Sequence, residues 1–579
     1  MKKILFLLLF PFIVFSQLAP NPELLKGRWS AQWIANPESN SKDYGVYHFR
    51  KTFELAEKPK EFIVNITADN RYRLFVNGIP VAYGPARGDL YNWYYETIDI
   101  SEYLHEGKNS LAAMVWNMSD LAPVAQITNK TGLLVQGNSE VEKLINTNST
   151  WKSIENKAYQ PCSIDNGRKL RSYMVIGPGD EVDAKLYPWG WEQTDYDDSN
   201  WKKAVYTGNA SADGYGSDNL WTLKPRNIPL MFEKEQRMSE IRRVEGMELK
   251  GDFLSGKSSL VIPANKKVKF LIDQGFNTVA YPELFISKGK GASIKLSYAE
   301  ALNKPGDVRA KGNRNEIEGK ELIGNFDIFH ADGGDSRHFR PLWIRTYRYL
   351  EIEIETQDSV LEINDFHGTA TGYPFEVKAN FSSNDASLEK IWQVGWRTAQ
   401  LCAGETYYDC PYYEQLQYEG DTRIQALISL YVTGDDRLMR KAILDFYHSR
   451  SPNGLTQGRY PSSRFQTIPP FSLYWISMIH DYWMHRKDDT FLRQFKVPIM
   501  GVLDWYESKI DEEMDMLGAM DWWNFVDWND QFPGGTPDGA NDGNSAVITA
   551  QLVYTLKQAS ELMNYYGEEA QSKKYASLS

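Results

Sequence analysis

The sequence predicts a multidomain protein in which β-sandwich domains come first and an all-α domain follows. The chain has 579 residues, of which 42% are hydrophobic and 24% are charged, and this composition is typical of a folded globular protein. At roughly 100 to 200 residues per domain, the length allows several domains. Apolar and polar side chains alternate in short runs up to about Thr371, whereas a helical period begins after about Asn384.

The N-terminal residues 1–16 predict a secretory signal peptide. Lys2 and Lys3 precede an apolar run from Ile4 to Phe15, and Ser16 supplies the small residue of a cleavage site. The run is shorter than the ~20 residues that a membrane-spanning helix needs. We therefore expect a periplasmic or secreted protein without a membrane span.

Residues 17–240 predict an N-terminal β-sandwich region, which is also a candidate for carbohydrate binding. Its clearest element is RYRLFVNGIPVAYG, because two alternating runs flank Asn77-Gly78, a strong signal for a tight β-hairpin. Residues 241–378 predict a second β-sandwich, with strands in KVKFLIDQG, ASIKLSYAEAL and YRYLEIEIE. The long polar loop 304–321 between two of these strands is of a length that is usually functional or disordered.

Residues 379–579 predict an all-α domain. Leu388, Ile391 and Val394 belong to the first helical pattern, which follows a capping sequence at residues 384–387. Further helices are predicted near residues 422–432, 437–448, 472–485, 490–508 and 546–566. No strand pattern lies between them, so these helices are expected to pack on one another.

Charge and residue counts argue against several classes of function. The net charge of −12 lacks the basic excess that a nucleic-acid partner requires. Only three cysteines occur, Cys162, Cys402 and Cys410, which excludes a disulfide framework and a cysteine-rich zinc site. Neither H-E-x-x-H spacing nor a G-x-S-x-G elbow is present. The sequence thus predicts neither a metal nor a cofactor.

An acidic and aromatic segment, YYDCPYYEQLQYEGDTR, lies between the first two predicted helices. It contains Asp409, Glu414, Glu419 and Asp421 among five tyrosines. Carboxylates are costly to bury without partners, and a solvated loop has little need of so many aromatic rings, so the segment is expected to line a cleft. The alternative is a surface loop in which Asp421 caps the following helix.

A second such cluster, MDWWNFVDWND, contains Asp521, Asp527 and Asp530 among three tryptophans and a phenylalanine. Its aromatic residues could alternatively pack between helices. Together the two clusters indicate one polar pocket with aromatic walls. Glycoside hydrolysis needs this combination of an acid, a second carboxylate and rings that orient the sugar. Aromatic residues form 13% of the chain, which agrees with such a pocket or with a large aromatic core.

Residues of both clusters resemble a known family. DCPYYEQLQYEGD resembles the signature of glycoside hydrolase family 78, the α-L-rhamnosidases, with tyrosines where other members carry Gln-Arg. DNRYRLFVNG, RPLWIRTYRYLEIEI and NFVDWND are similar to segments of the N-terminal sandwich, the second sandwich and the catalytic domain of that family. The resemblance implies a cofactor-free, inverting hydrolase with an (α/α)6 barrel that releases L-rhamnose from glycans or glycosides.

The resemblance also implies roles for individual residues. Glu414 takes the position of the general acid, and Asp409 and Asp421 take positions that bind the sugar hydroxyls. Tyr418 stands where many members have Trp and is a candidate wall of the sugar site, and Asp527 and Trp528 match a substrate-facing segment.

In the family the general base is a Glu in later helices. Six helices are predicted here, about half of those in an (α/α)6 barrel. We therefore expect about half of the barrel in this sequence, the base beyond residue 579, and a poorly soluble, inactive isolated chain.

Two alternatives to an exported α-L-rhamnosidase stay open at this point. The first is a non-catalytic carbohydrate-binding protein built on a degenerate or truncated glycosidase scaffold, which the β-sandwiches and the many tryptophans suit. The second is a lyase acting on an acidic polysaccharide, which the acidic charge balance disfavours because such a substrate requires a basic cleft.

Overall fold

A computed structural model describes residues 18–40, 43–162, 172–212, 221–249 and 252–579. The predicted signal peptide lies outside the described residues. The predicted fold class is confirmed, since strands fill the described chain up to Gly372 and helices dominate after Ala386.

Of the fourteen described strands that end before residue 226, twelve form two six-stranded sheets. In chain order they are β1 (Arg28–Ala35), β2 (Gly45–Leu55), β3 (Ile63–Asp69), β4 (Arg71–Val76), β5 (Ile79–Gly84), β6 (Trp93–Asp99), β7 (Gly107–Asn117), β8 (Gly132–Gly137), β9 (Lys152–Glu155), β10 (Tyr159–Pro161), β11 (Asp180–Asp183), β12 (Lys202–Lys203), β13 (Val205–Ser211) and β14 (Leu223–Pro225). The sheet orders are β13-β1-β8-β3-β6-β14 and β12-β9-β2-β7-β4-β5.

These two sheets pack face to face as a β-sandwich. Their shared core is made of buried side chains from both sheets, among them Phe49, Val64, Leu74, Ile98, Val115 and Leu133. The predicted hairpin is confirmed: β4 pairs with β5 around Asn77 and Gly78, whose φ angles are 50° and 85°. Positive φ at both central residues is the geometry that favours Asn-Gly in such turns.

A larger, eleven-stranded sheet follows. Its later strands are β15 (Phe232–Gln236), β16 (Glu240–Glu245), β17 (Leu260–Ile262), β18 (Lys267–Lys288), β19 (Ser293–Ala299), β20 (Asn325–His330), β21 (Arg337–Phe339), β22 (Arg345–Glu355) and β23 (Leu361–Gly372). The three strands predicted for this region are confirmed as β18, β19 and β22. Because β10 and β11 pair with each other and with β20, chain from the predicted N-terminal region also enters this sheet. The domain boundaries proposed from the sequence stay predictions.

The C-terminal part is helical apart from the small hairpin β24 (Ile510–Asp511) and β25 (Met516–Leu517). Its helices are α1 (Ala386–Leu401), α2 (Glu419–Thr433), α3 (Arg437–His448), α4 (Pro469–His485), α5 (Asp489–Leu492), α6 (Lys496–Glu507), α7 (Ala546–Tyr565) and α8 (Glu569–Leu578). One large core cluster draws buried side chains from α2 to α8.

The observed helices differ from the sequence prediction in two places. The single helix predicted over residues 490–508 is divided into α5 and α6 by a 3-10 turn at Arg493–Phe495. Pro498 lies in the first turn of α6, where its missing N–H costs nothing, so the proline accompanies a helix start. Helix α8 was not predicted, because it is short and follows Gly567, whose positive φ ends the preceding helix.

The helices show an exposed apolar stripe on α1 and no candidate membrane span in the described residues. Leu388, Ile391 and Val394 on α1 are 41%, 64% and 65% exposed, so this apolar stripe faces away from the core. In the part of the chain that the structure describes, no helix combines the length and the hydropathy required to cross a membrane.

Candidate active site

Residues 409–421, here called the acidic loop, connect α1 to the first turn of α2 and are held by backbone pairing. Asp409 and Leu416 exchange hydrogen bonds, since N–H of Asp409 donates to the Leu416 carbonyl at 2.8 Å and N–H of Leu416 donates to Asp409 Oδ1 at 3.0 Å. Further along, Tyr418 forms an antiparallel bridge with Arg459. These contacts bring the carboxyls of the loop towards residues 458–460.

Both β-rich parts of the molecule also hold the acidic loop. Gln415 is the centre of these contacts: its Oε1 accepts from Trp343 Nε1 and its carbonyl accepts from Arg87 Nη1, each at 2.8 Å. Tyr412 donates to the Tyr298 carbonyl at 2.8 Å. Gln415 has a φ of 53°, a conformation that is uncommon for a residue other than glycine and that persists where surrounding contacts enforce it. The loop therefore has its position set by three parts of the chain.

Glu414, the predicted general acid, is partly buried and hydrogen-bonded. Its Oε2 accepts from the Tyr418 hydroxyl at 3.0 Å, and that hydroxyl accepts from Arg459 Nη1 at 2.9 Å. Arg459 Nη1 also donates to the hydroxyl of Tyr173 at 3.2 Å. The acid is thus connected to a buried cation through one tyrosine.

The three carboxyls of the predicted site are all shifted towards the protonated form. Burial raises the pKa of Asp409, and the nearby charge of Glu414 raises that pKa further. Burial also raises the pKa of Glu414, although the Tyr418 hydrogen bond and the Arg459 charge oppose the shift. For Asp421, burial is again the main cause of the raised pKa, and the charge of Asp527 adds to it. A raised pKa is what a general acid needs in order to hold a proton near neutral pH.

Glu419, the fourth carboxyl of the loop, lies apart from this group. It is fully buried, and its Oε2 accepts a hydrogen bond from Thr456 at 3.0 Å, while its Oε1 has no hydrogen-bond partner. Burial raises its pKa well above the ordinary value. A neutral acid inside the helical core is therefore the state that its surroundings favour.

The second cluster reaches the acidic loop through a series of aromatic contacts. Tyr418 meets Phe471 edge to face at 6.5 Å between ring centroids, and Phe471 meets Phe525 at 5.8 Å. Phe525 in turn meets Trp528 at 5.1 Å. Phe525 is buried, whereas the Trp528 side chain is 71% exposed. The cluster therefore combines a packed base with an exposed ring: the packing interpretation holds for Phe525, and the pocket interpretation stays a prediction.

The structure brings the predicted residues Asp409, Glu414, Asp421 and Tyr418 together. The loop is not a surface loop with Asp421 as a cap, because the N-cap of α2 is Tyr418 and Asp421 lies inside the first turn. Asp527 is exposed and acts on Asp421 through its charge. The assigned roles of these residues, and of Trp528, stay predictions. The described residues contain no group of three or more possible metal ligands.

Sequence reasoning missed Arg459, which the fold places beside Tyr418. It is 5% exposed and lies in the irregular segment between α3 and α4. A single arginine there has no spacing signal, so only the pairing of two distant segments could reveal it. The same holds for Trp343 and Arg87, whose contacts with the acidic loop span more than 70 residues of sequence.

The shifted pKa of Asp409 predicts an effect of pH on stability. An aspartate whose pKa is raised by folding costs stability once the pH exceeds its unfolded value of about 3.9, and the cost grows until the folded group ionises. Asp409→Asn removes this cost and still accepts from Leu416. We therefore expect the melting temperature of the variant to rise relative to that of the parent protein as the pH increases above about 4.

The matched control is Asp530→Asn, which removes the charge of an exposed aspartate in the second cluster. Melting curves of the three proteins at several pH values provide the measurement. A difference between Asp409→Asn and the parent protein that does not change with pH would contradict the expected cost.

Carboxyls that converge beside exposed aromatic rings are an arrangement typical of the glycoside hydrolase class. Three family models match the chain: the "alpha-L-rhamnosidase N-terminal domain" over residues 57–214, the "bacterial alpha-L-rhamnosidase concanavalin-like domain" over 264–371 and the "bacterial alpha-L-rhamnosidase 6 hairpin glycosidase domain" over 376–579. The chain belongs to the bacterial α-L-rhamnosidases of glycoside hydrolase family 78.

Individual relatives agree with this assignment. An α-L-rhamnosidase of Alteromonas sp. (strain LOR) is 20% identical, and the match covers 92% of this chain and 56% of that protein. An α-L-rhamnosidase of Streptomyces avermitilis is 26% identical over 31% of this chain and 16% of its own. This chain thus spans about half the length of the first of these relatives, and much less of the second.

Solved structures share the fold. The family 78 rhamnosidase of Bacillus sp. GL1 has a TM-score of 0.81 at 18% identity, covering 95% of this chain and 76% of its own. An α-L-rhamnosidase from Aspergillus terreus has a TM-score of 0.71 at 17% identity, covering 95% of this chain and 60% of its own. At such identities the likeness concerns the fold alone.

Proposed function

We propose that this protein is an exported α-L-rhamnosidase that removes terminal α-L-rhamnose from glycans or glycosides, with Glu414 as general acid. The observation that carries the proposal is the convergence of Asp409, Glu414 and Asp421 in one loop where burial raises the pKa of each. A protonated Glu414 would donate to the glycosidic oxygen. The named α-L-rhamnosidases among the relatives support rhamnose as the sugar.

Asp409, Asp421 and the rings of the second cluster take the binding roles in this proposal. Carboxylates accept hydrogen bonds from sugar hydroxyls, and the exposed face of Trp528 can stack on the C–H groups of a pyranose. In this proposal hydrolysis of the glycosidic bond needs no metal or cofactor, because acid catalysis and substrate positioning supply the chemistry. The rhamnose ring would lie between the acidic loop and the second cluster.

We further propose an inverting mechanism. The glycosidic C–O bond breaks as its oxygen takes the proton of Glu414, and a water oxygen bonds to the anomeric carbon from the opposite face. A second carboxylate, at ~6.5 to 9.5 Å from the acid, receives the proton of that water. The freed sugar then carries the opposite anomeric configuration.

The experiment is hydrolysis of p-nitrophenyl α-L-rhamnoside by the longest natural form of the protein, which is also the parent protein of the variants below, followed by proton NMR of the first-formed sugar. We expect release of β-L-rhamnose, with no comparable turnover of p-nitrophenyl glycosides of glucose, galactose or fucose. Calorimetric binding of rhamnosides without turnover would instead support a carbohydrate-binding protein. First-formed α-L-rhamnose would overturn the inverting mechanism alone.

Export to the periplasm or the medium is part of the proposal and rests on the sequence of residues 1–16. N-terminal sequencing of the protein from its natural host tests it. A mature N-terminus at or near Gln17 is expected, and a protein that retains Met1 in the cytoplasm would contradict export.

A further inference from the structure

Three side chains form a directed chain of hydrogen bonds that ends on the proposed acid. Arg459 Nη1 lies 2.9 Å from the Tyr418 hydroxyl, and that hydroxyl lies 3.0 Å from Glu414 Oε2. The antiparallel bridge between Tyr418 and Arg459 fixes their backbones side by side. The guanidinium is also within 5.6 Å of the centroid of the Tyr418 ring. The arrangement is therefore set by backbone pairing as well as by side chains.

The chemistry of the three groups decides which atom donates. A guanidinium only donates hydrogen bonds, so the Tyr418 oxygen must be the acceptor from Arg459. The single hydroxyl hydrogen of Tyr418 is then free to point at Glu414, which makes Oε2 of Glu414 an acceptor. As long as Tyr418 donates to Oε2, protonation of Glu414 is favoured at Oε1, the oxygen that Tyr418 does not bind.

We propose that Tyr418 and Arg459 are positioning residues for the proposed acid: they hold Oε2 of Glu414 as an acceptor and so make Oε1 the oxygen that delivers the proton. The inference rests on the proposed function of Glu414. It gives Tyr418 a role beyond that of an aromatic wall. It also gives a role to Arg459, which sequence reasoning did not find.

The same contacts assist the transfer itself. As the proton moves from Oε1 to the glycosidic oxygen, the electron pair of the breaking C–O bond stays on that oxygen, and Glu414 is left as a carboxylate. The Tyr418 hydrogen bond strengthens as this negative charge develops. Arg459 interacts with Tyr418 and Tyr173, and within the described ranges it forms no ion pair with a carboxylate. Its positive charge is therefore available to strengthen the hydrogen bonds that run through Tyr418 to Glu414.

Several groups set the ionisation of Glu414, and they act in opposite directions. The titratable and charged groups that face it are Asp409, Cys410, Tyr418, Asp421 and Arg459. Burial and Asp421 raise the pKa of Glu414, whereas Tyr418 and Arg459 lower it. Removing the hydroxyl of Tyr418 should therefore raise that pKa and shift the alkaline limb of the kcat/KM profile to higher pH.

The test compares Tyr418→Phe and Arg459→Met with the parent protein on two rhamnosides. One carries an alkyl leaving group, which needs protonation, and the other carries 2,4-dinitrophenol, which does not. For the alkyl rhamnoside we expect kcat to fall about ten- to hundredfold in Tyr418→Phe, with KM nearly unchanged. For the dinitrophenyl rhamnoside we expect little loss. Arg459→Lys keeps a donor and should recover part of the activity that Arg459→Met loses.

A second measurement does not depend on turnover. Carbon-13 labelling of the glutamate carboxyls allows Glu414 to be titrated by NMR, its signal being the one that disappears in Glu414→Gln. A higher titration midpoint in Tyr418→Phe is expected. If that variant does not fold, Tyr418→Trp, which also lacks the hydroxyl, replaces it.

The control is Tyr431→Phe, which removes the hydroxyl of an exposed tyrosine on α2 and should leave kinetics and titration unchanged. Two results would overturn the positioning role: equal losses on both rhamnosides, or an unchanged titration midpoint. If the parent protein cleaves no rhamnoside, the proposed function fails, and the titration alone then decides whether the hydrogen-bond chain acts on Glu414.

Discussion

Glu414→Gln is expected to lower kcat for an alkyl α-L-rhamnoside by about 10²- to 10⁴-fold, the range that a general acid contributes. Gln has nearly the same shape as Glu and can still accept from Tyr418 through its amide oxygen, so the loop should keep its conformation. The amide nitrogen offers no acidic proton to the leaving oxygen. Steady-state kinetics with alkyl and aryl rhamnosides measure the loss, which should be smallest for the best leaving group.

Glu561→Gln is the matched control for this substitution. Glu561 lies on α7, its side chain is 58% exposed, and it pairs with His480 at 2.8 Å. The same change of charge is made there at the surface, so turnover should stay within about twofold of the parent value. Full turnover of an alkyl rhamnoside by Glu414→Gln would show that another group supplies the proton.

Several elements of the fold were predictable because local chemistry dictates them. Asn77-Gly78 requires two positive φ angles, and this requirement specifies the hairpin between β4 and β5 before any tertiary contact is known. Alternating runs likewise predicted β18, β19 and β22, although most residues of β18 and β22 are buried on both faces of the large sheet. Helix α8 and the interruption at Arg493–Phe495 depend on packing, for which a single sequence carries a weak signal.

The candidate site divides in a similar way. Asp409, Glu414, Tyr418 and Asp421 were found because they lie within thirteen positions of one segment, so the sequence itself shows their proximity. Arg459 and Trp343 reach that segment only through the fold, from 41 and 72 residues away. The direction of each hydrogen bond, and with it the oxygen of Glu414 that carries the proton, requires coordinates. Sequence thus indicates which carboxyls meet, and structure indicates how they are held.

The buried ion pair between Arg71 and Glu405 predicts the largest effect on stability. Arg71 on β4 donates twice to Glu405, which precedes the acidic loop, at 2.6 and 2.8 Å. Both residues are buried, at 3% and 2% exposure, and Arg71 lies 4.6 Å from the centroid of the Trp343 ring. Arg71→Met should cost about 3 to 5 kcal/mol of unfolding free energy, because it leaves a buried carboxylate without its partner.

The control for the magnitude of this loss is Lys202→Met, which removes an exposed ion pair with Glu38. It should lower the free energy of unfolding by no more than about 1 kcal/mol. Urea unfolding followed by tryptophan fluorescence compares the midpoints of the two variants. The double variant Arg71→Met, Glu405→Leu replaces the pair by apolar groups and should recover much of the loss. A double variant as unstable as Arg71→Met would mean that the lost packing of Arg71, and not the unpaired charge, causes the destabilisation.

The pH dependence of stability further distinguishes the unpaired charge of Glu405 from the lost packing of Arg71. Burial alone would raise the pKa of Glu405, but the charge and hydrogen bonds of Arg71 hold it at about 2. This lies below the unfolded value of about 4.3, so the pair stabilises the fold above pH ~4.3 and loses its effect as the pH falls towards 2. In Arg71→Met the unpaired carboxyl can be protonated at low cost in acid. The difference in stability between Arg71→Met and the parent protein should therefore narrow below pH ~4, whereas a difference caused by packing would stay constant.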